Sequence, residues 1–205
     1  LMEDWDKFDK QLSPSPALNY EQKHTLLQSI SISLFKFSAI ELSRDDLLSL
    51  LRDSLSKLGI EGDTKSVLQD IQERSGLIIE KAIGRFGFSP LSFQEYFTAV
   101  GLLKSPDGLS LLLDKIEQDE DYEIALLFAG AAPKCDELIV ALIEKFESCE
   151  ENRIIVLAGK AAVEGQNISL KLKSRLITRL TETFNSALDE EDLLEIQSVL
   201  RQLGV

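Results

Sequence analysis

The chain has 205 residues, of which 44% are hydrophobic, and a formal net charge of −13 at pH 7. This length is enough for one large domain or two small ones. An acidic surface repels phosphate backbones, which argues against general nucleic-acid binding. No apolar run in the sequence approaches the roughly 18 residues of a membrane-spanning helix, so no membrane partner is expected.

The N-terminal residues indicate a chain cut from a longer protein. The opening LMEDWDKFDK is acidic and lacks the charge pattern of a signal peptide. Trp5, Phe8 and Leu12 are apolar residues at helical spacing. The segment SPSPALN that follows contains two prolines. Residues 1–19 are therefore interpreted as the end of a preceding helical domain and a linker.

The two cysteines indicate an ordinary reducing environment. Cys135 and Cys149 have no histidine near them in the sequence, so a zinc site is not predicted. A disulfide needs an oxidising compartment, and nothing in the sequence indicates export. Both residues are expected to be reduced thiols in a cytoplasmic protein.

Residues 20–103 predict helices followed by a small β-hairpin. Residues 20–37 have apolar side chains at helical spacing, and His24 falls on that stripe, where we expect a packed residue rather than a ligand. Ser43 and Asp63 are predicted to cap the next two helices. The β-branched and aromatic segment 77–88 predicts strands at about 77–82 and 85–88. These elements are the ingredients of a winged-helix-like domain.

Residues 104–205 predict a helical-repeat domain. A shift of 30 residues superimposes Leu112 on Leu142 and Ile124 on Ile154, among other apolar pairs. Two helices per period of this length are typical of a HEAT-like α-solenoid, in which each helix pair covers its neighbour. Helices are predicted at about 106–117, 121–132, 136–147, 151–163, 169–187 and 190–203. The fold class is thus mostly α.

The sequence contains no recognisable catalytic, cofactor-binding or metal-binding site. The phosphate-binding patterns GxxxxGK[ST] and GxGxxG are absent. No serine and aspartate can be grouped with His24, the single histidine, into a catalytic triad. The chain is therefore predicted not to be an enzyme.

One stretch resembles a known family. RSGLIIEKAIGRFGFSPLSFQEYFTAV, residues 74–100, resembles the end of the winged-helix region in NACHT-type signalling ATPases, the STAND class that includes NOD-like receptors and many bacterial defence proteins. WDKFDKQ at 5–11 is similar to the family's preceding "WD". The family segment reads F-x-H-x-[ST]-F-Q-E-[YF]-F-x-A, and the compact layout favours a bacterial member. The matching residues are Phe88, Phe93, Gln94, Glu95, Tyr96 and Phe97, and Pro90 stands at the histidine position.

The resemblance implies a regulatory role without catalysis. ATP or ADP with magnesium would bind an upstream NACHT core, and this chain would mediate autoinhibition or protein–protein interaction with that core and with an unidentified protein partner. In the family, the histidine contacts the bound diphosphate. Pro90 has neither a ring donor nor a backbone N–H. Nucleotide coupling is therefore expected to be weaker, or to use Lys81 or Arg85.

Two further expectations concern this motif. With Ser89 as the cap, Pro90 would suit the start of the following helix. Phe93, Tyr96 and Phe97 have the helical spacing of core residues that fix this helix under the hairpin.

Three alternatives remain open: a stand-alone helical-repeat scaffold, an unrecognised enzyme and a winged-helix DNA-binding regulator. The third is disfavoured by the acidic residues in its supposed recognition helix, 64–74.

Overall fold

A computed structural model describes residues 18–118, 122–165, 167–186 and 189–205. The helix end predicted over 1–12 and most of the predicted linker lie outside the described residues. The chain divides into two compact units, the first ending at Gly101 and the second beginning at Leu102. We call them the N-terminal and the C-terminal unit.

The N-terminal unit contains four helices and three short strands among its described residues. In chain order these are α1 (Tyr20–Lys36), β1 (Leu42–Ser43), α2 (Arg44–Lys57), α3 (Thr64–Asp70), a π-helical turn (Ile71–Ser75), β2 (Ile78–Ala82), β3 (Arg85–Phe88) and α4 (Leu91–Leu103). The order of helices and strands up to β3 is that of a winged-helix fold, with β2 and β3 forming the wing.

Side-chain caps fix where the first helices begin. Asn19 closes a capping box on α1. The Asp46 backbone N–H donates to Ser43 Oγ at 3.2 Å, and the Ser66 N–H donates to Asp63 Oδ2 at 3.0 Å. Hydrogen bonds from the Ser66 side chain and backbone hold the pKa of the Asp63 carboxyl below its usual value. The caps predicted at Ser43 and Asp63 are confirmed.

The three strands form one antiparallel sheet with the order β1-β3-β2. Ile78 lies opposite Phe88 in the hairpin, and Leu42 lies opposite Phe86 on the other side of β3. The predicted hairpin is confirmed. Strand β1 was not predicted, because two residues are too few to show an alternating pattern and the pairing depends on β3, which is distant in sequence. The Ser89–Pro90 peptide bond after β3 is cis.

The core of the N-terminal unit lies between helices α1, α2 and α3 and the sheet. Its fully buried members include Leu26, Leu27, Ile30, Leu34, Leu47, Leu51, Ile71, Ile78 and Phe88. Leu18, at the end of the predicted linker, is also part of this core. Tyr20 and Phe37, the ends of the predicted α1 stripe, are instead 40% and 75% exposed.

Every secondary-structure element described in the C-terminal unit is a helix. These are α5 (Gly108–Glu117), α6 (Tyr122–Ala131), α7 (Asp136–Cys149), α8 (Asn152–Glu164), α9 (Leu170–Ser186) and α10 (Glu190–Leu203). The predicted helices agree with these bounds to within two residues.

Helix α8 is the centre of this unit, since it contacts α6, α7, α9 and α10. Its residues 154–159 are all buried. A Cβ added to Gly159 would lie 2.4 Å from Val199 Cγ1, so the absence of a side chain permits the close approach of α10.

The buried Cys135 thiol has a raised pKa because burial disfavours the thiolate. The HEAT-like assignment of these stacked helices stays a prediction.

No helix in the described ranges has the length and apolar character that crossing a bilayer demands.

Candidate functional site

The family-like motif connects the wing to α4. Phe88 ends β3 with its side chain fully buried, and its ring lies 5.9 Å from that of Phe97, which is 2% exposed. Helix α4 begins at Leu91, and the Pro90 carbonyl accepts a hydrogen bond from the Phe93 N–H at 3.2 Å. Pro90 therefore occupies the position directly before the helix. The cap was expected one residue earlier, at Ser89. The Ser89 N–H instead donates to the Leu77 carbonyl at 3.0 Å.

The expectation that all three motif aromatics belong to the core is wrong for two of them. Phe97 is buried, but Phe93 and Tyr96 are 39% and 42% exposed. The buried side of α4 includes two polar residues, Gln94 and Thr98. Helix α4 is therefore rotated relative to the orientation that its aromatic spacing predicts.

A long-range hydrogen bond is formed on the buried polar side of α4. Gln94 Nε2 donates to the Ala39 carbonyl, in the loop between α1 and β1, at 3.2 Å. On the same side, a Cβ at Gly101 would lie 2.7 Å from Ile32 Cδ1, so α4 packs closely on α1 there. Gln94 Oε1 and Thr98 Oγ1 are buried without a hydrogen-bond partner in the described part of the chain.

The opposite side of α4 forms an exposed aromatic face with α1, which we define as Tyr20, His24, Phe93 and Tyr96. The His24 ring centroid lies 5.7 Å from that of Tyr20 and 6.5 Å from that of Tyr96. It also meets buried Phe97 at 5.0 Å in an edge arrangement. His24 Nδ1 shares a 2.8 Å hydrogen bond with Gln28 Nε2, so His24 is packed as predicted.

Further apolar groups are exposed near the start of α4. Leu91 is 44% exposed, and Phe37 and Ile40 in the α1–β1 loop are 75% and 58% exposed. The bond from Gln94 to Ala39 brings this loop beside the first turn of α4. Clusters of exposed apolar residues are unusual on a protein that acts alone and often mark a binding surface.

The two cations considered as substitutes for the family histidine differ in position. Arg85 begins β3 near the turn of the wing, whereas Pro90 follows the opposite end of that strand. The Lys81 side chain reaches further along the hairpin, since its Cε lies 3.2 Å from the position that a Cβ on Gly87 would take. At about 3.4 Å per residue, Arg85 is about 10 Å along the strand from Phe88. Arg85 Nε already pairs with Glu41 Oε1 at 2.9 Å.

Two other charged clusters consist of ion pairs, one in each unit. In the N-terminal unit, buried Asp70 pairs with Arg74 at 2.7 Å and with Lys23 at 3.7 Å. In the C-terminal unit, Arg175 and Arg179 both bind Glu147 and hold the pKa of its carboxyl below the usual value. No group of potential metal ligands occurs within the ranges that the structure describes.

Comparisons with known proteins identify the N-terminal unit. Residues 1–102 match the model of a family described as the winged helix-turn-helix domain C-terminal to NACHT. No curated protein and no solved structure matches the chain. The matched domain is a non-catalytic one that accompanies the NACHT NTPase. The fold and the motif at the start of α4 agree with this match, and residues 1–102 belong to the family of winged helix-turn-helix domains C-terminal to NACHT.

Proposed function

We propose that the chain is the regulatory segment of a NACHT-type signal-transduction NTPase of the STAND class. Its N-terminal unit docks on an upstream NACHT core that binds ATP or ADP with magnesium. Its helical unit is a second surface for autoinhibition or for a protein partner in the cytoplasm. The family of residues 1–102 supports the link to NACHT. Bacterial defence is the proposed setting, from the resemblance of the motif alone.

The observation that carries this proposal is the division of the family motif between two environments. Phe88, Gln94 and Phe97 are buried and hold α4 on the winged-helix core. Phe93 and Tyr96 are exposed, although aromatic side chains favour burial. Large aromatic residues are enriched among those that contribute most to protein–protein interfaces. A docking surface explains why such side chains face outward here.

The docking proposal is tested by measuring the affinity of this chain for its upstream core in ADP and in a non-hydrolysable ATP analogue. The double variant Phe93→Ala/Tyr96→Ala is expected to weaken the complex at least about tenfold, because removal of an interface hot spot costs about 2 kcal/mol or more. Because both side chains are partly exposed, the fold should be retained.

Ile83→Ala is the matched control, since Ile83 is fully exposed at the tip of the wing. It should leave the affinity unchanged. An unchanged affinity for the double variant as well would contradict docking through this face. No binding of the wild-type chain in either nucleotide would favour a stand-alone helical-repeat scaffold.

Pro90 predicts weak coupling between docking and nucleotide state. A hydrogen bond to a charged group contributes about 1.5–3 kcal/mol, and a proline side chain cannot supply it. In the protein with its core, Pro90→His is expected to tighten ADP binding about tenfold, as measured by calorimetry. Pro90→Ala restores the backbone N–H but adds no side-chain donor, so it tests the side-chain contact and should leave the affinity unchanged. Equal affinities for the histidine and alanine variants would contradict a lost contact at this position.

A further inference from the structure

We propose that the aromatic face recognises a cationic side chain, an arginine guanidinium, on the partner that docks there. This inference rests on the proposed docking function and adds the chemistry of the partner. It follows from the arrangement of the rings and from the charges that surround them.

The rings of the aromatic face are both accessible and close together. Tyr20 and Tyr96 are 40% and 42% exposed and contact the same imidazole, that of His24, at 5.7 and 6.5 Å. Tyr96 also packs edge-on against buried Phe97 at 5.4 Å, which limits the positions that its ring can take. Rings that are held in place can bind a partner with little loss of side-chain entropy.

The charge around these rings favours a cation over an anion. Helix α4 has a single residue that is charged at neutral pH, Glu95, and the first turn of α1 adds Glu21. The nearest lysine in the sequence, Lys23, is buried and pairs with Asp70. Electron-rich rings attract cations over their faces, and nearby carboxylates add to this attraction.

A purely apolar partner explains the composition of this face less well. Both tyrosines present hydroxyl-bearing rings, and tyrosine suits surfaces that combine apolar contact with polar groups. Arginine matches such a surface because its planar guanidinium stacks on aromatic faces and is weakly hydrated. In the C-terminal unit, arginine and tyrosine meet at the polar edge of the ring. There Arg153 lies 6.0 Å from the ring centroid of Tyr122 and donates to its hydroxyl oxygen at 2.7 Å.

The test uses the whole chain and small probes, so it does not depend on a NACHT core. N-acetylarginine amide is titrated against the ring resonances of Tyr20 and Tyr96 in an NMR experiment. N-acetylcitrulline amide, which has nearly the same shape without the charge, is the matched probe. We expect saturable shifts with the arginine probe and much smaller ones with the citrulline probe.

Two variants localise the effect. Tyr96→Leu keeps an apolar side chain but removes the ring, and it should weaken arginine binding about two- to fivefold, the range of an exposed cation–π contact. Tyr122→Leu removes a ring that already contacts Arg153 and should leave probe binding unchanged. Equal shifts for both probes, no shift with either, or no loss in Tyr96→Leu would overturn the inference.

The outcome is separable from that of the docking experiment. If the core binds through Phe93 and Tyr96 but the probes show no preference for charge, docking stands and cation recognition is rejected. If the arginine probe binds selectively but no core does, the docking function fails, and the face would recognise an arginine-bearing partner other than that core.

Discussion

Replacing Phe97 with alanine is expected to lower the free energy of unfolding by about 3–5 kcal/mol, the usual cost of removing a buried aromatic side chain. Phe97 is 2% exposed and joins the core of the N-terminal unit, where its ring contacts those of Phe88 and His24. Its loss would leave a cavity between the wing and α4. Urea unfolding, together with hydrogen exchange of the α4 amides, measures the change.

Phe93→Ala is the matched control, with the same substitution one helical turn earlier. Phe93 is 39% exposed, so its replacement should cost less than about 1 kcal/mol, within the range of surface changes. Equal losses of stability for the two variants would contradict the orientation of α4 described above.

Asp70→Ala is expected to lower the free energy of unfolding by about 3 kcal/mol, because it removes the buried carboxylate that pairs with Arg74 and Lys23. Asp70 pairs with Arg74 and lies near Lys23, and the side chains of Asp70 and Lys23 are only 7% and 8% exposed. The estimate is at the lower end of the usual range because the Arg74 side chain is 22% exposed. The double variant Lys23→Met/Asp70→Leu should recover much of the loss, since apolar groups of similar volume can replace a buried pair.

The control for this prediction is an exposed ion pair in the C-terminal unit. Lys160 and Glu195 meet at 3.0 Å, and both side chains are more than 40% exposed. Glu195→Ala should change stability by no more than about 1 kcal/mol, because water screens such pairs. A loss in Asp70→Ala as small as this would show that the buried cluster contributes little.

Local signals predicted much of the fold. The caps at Ser43 and Asp63, the wing and the six helices of the C-terminal unit each leave a pattern within a short stretch of sequence. Strand β1 leaves no such pattern, since Leu42 and Ser43 become a strand only by pairing with β3. A prediction from one short stretch of sequence cannot include contacts between residues that are far apart in the chain.

The candidate site was predictable in position but not in orientation. The motif located the segment at the start of α4, and the match over residues 1–102 agrees with that assignment. Aromatic spacing alone placed Phe93 and Tyr96 inside, because large apolar side chains usually define the buried side of a helix. The bond from Gln94 to Ala39 instead favours burial of a polar side, and no local pattern reveals that bond.

Strand β1 also has a consequence for how the protein is made. Glu41 and Arg85, beside the paired ends of β1 and β3, are 44 positions apart, and Gln94 and Ala39 are 55 apart. During synthesis, α1, α2 and α3 emerge from the ribosome before the strand and the helix that hold them together. The N-terminal unit can therefore complete its fold only after α4 has emerged, and a nascent chain that stalls inside the wing would expose an unfinished core to chaperones and proteases.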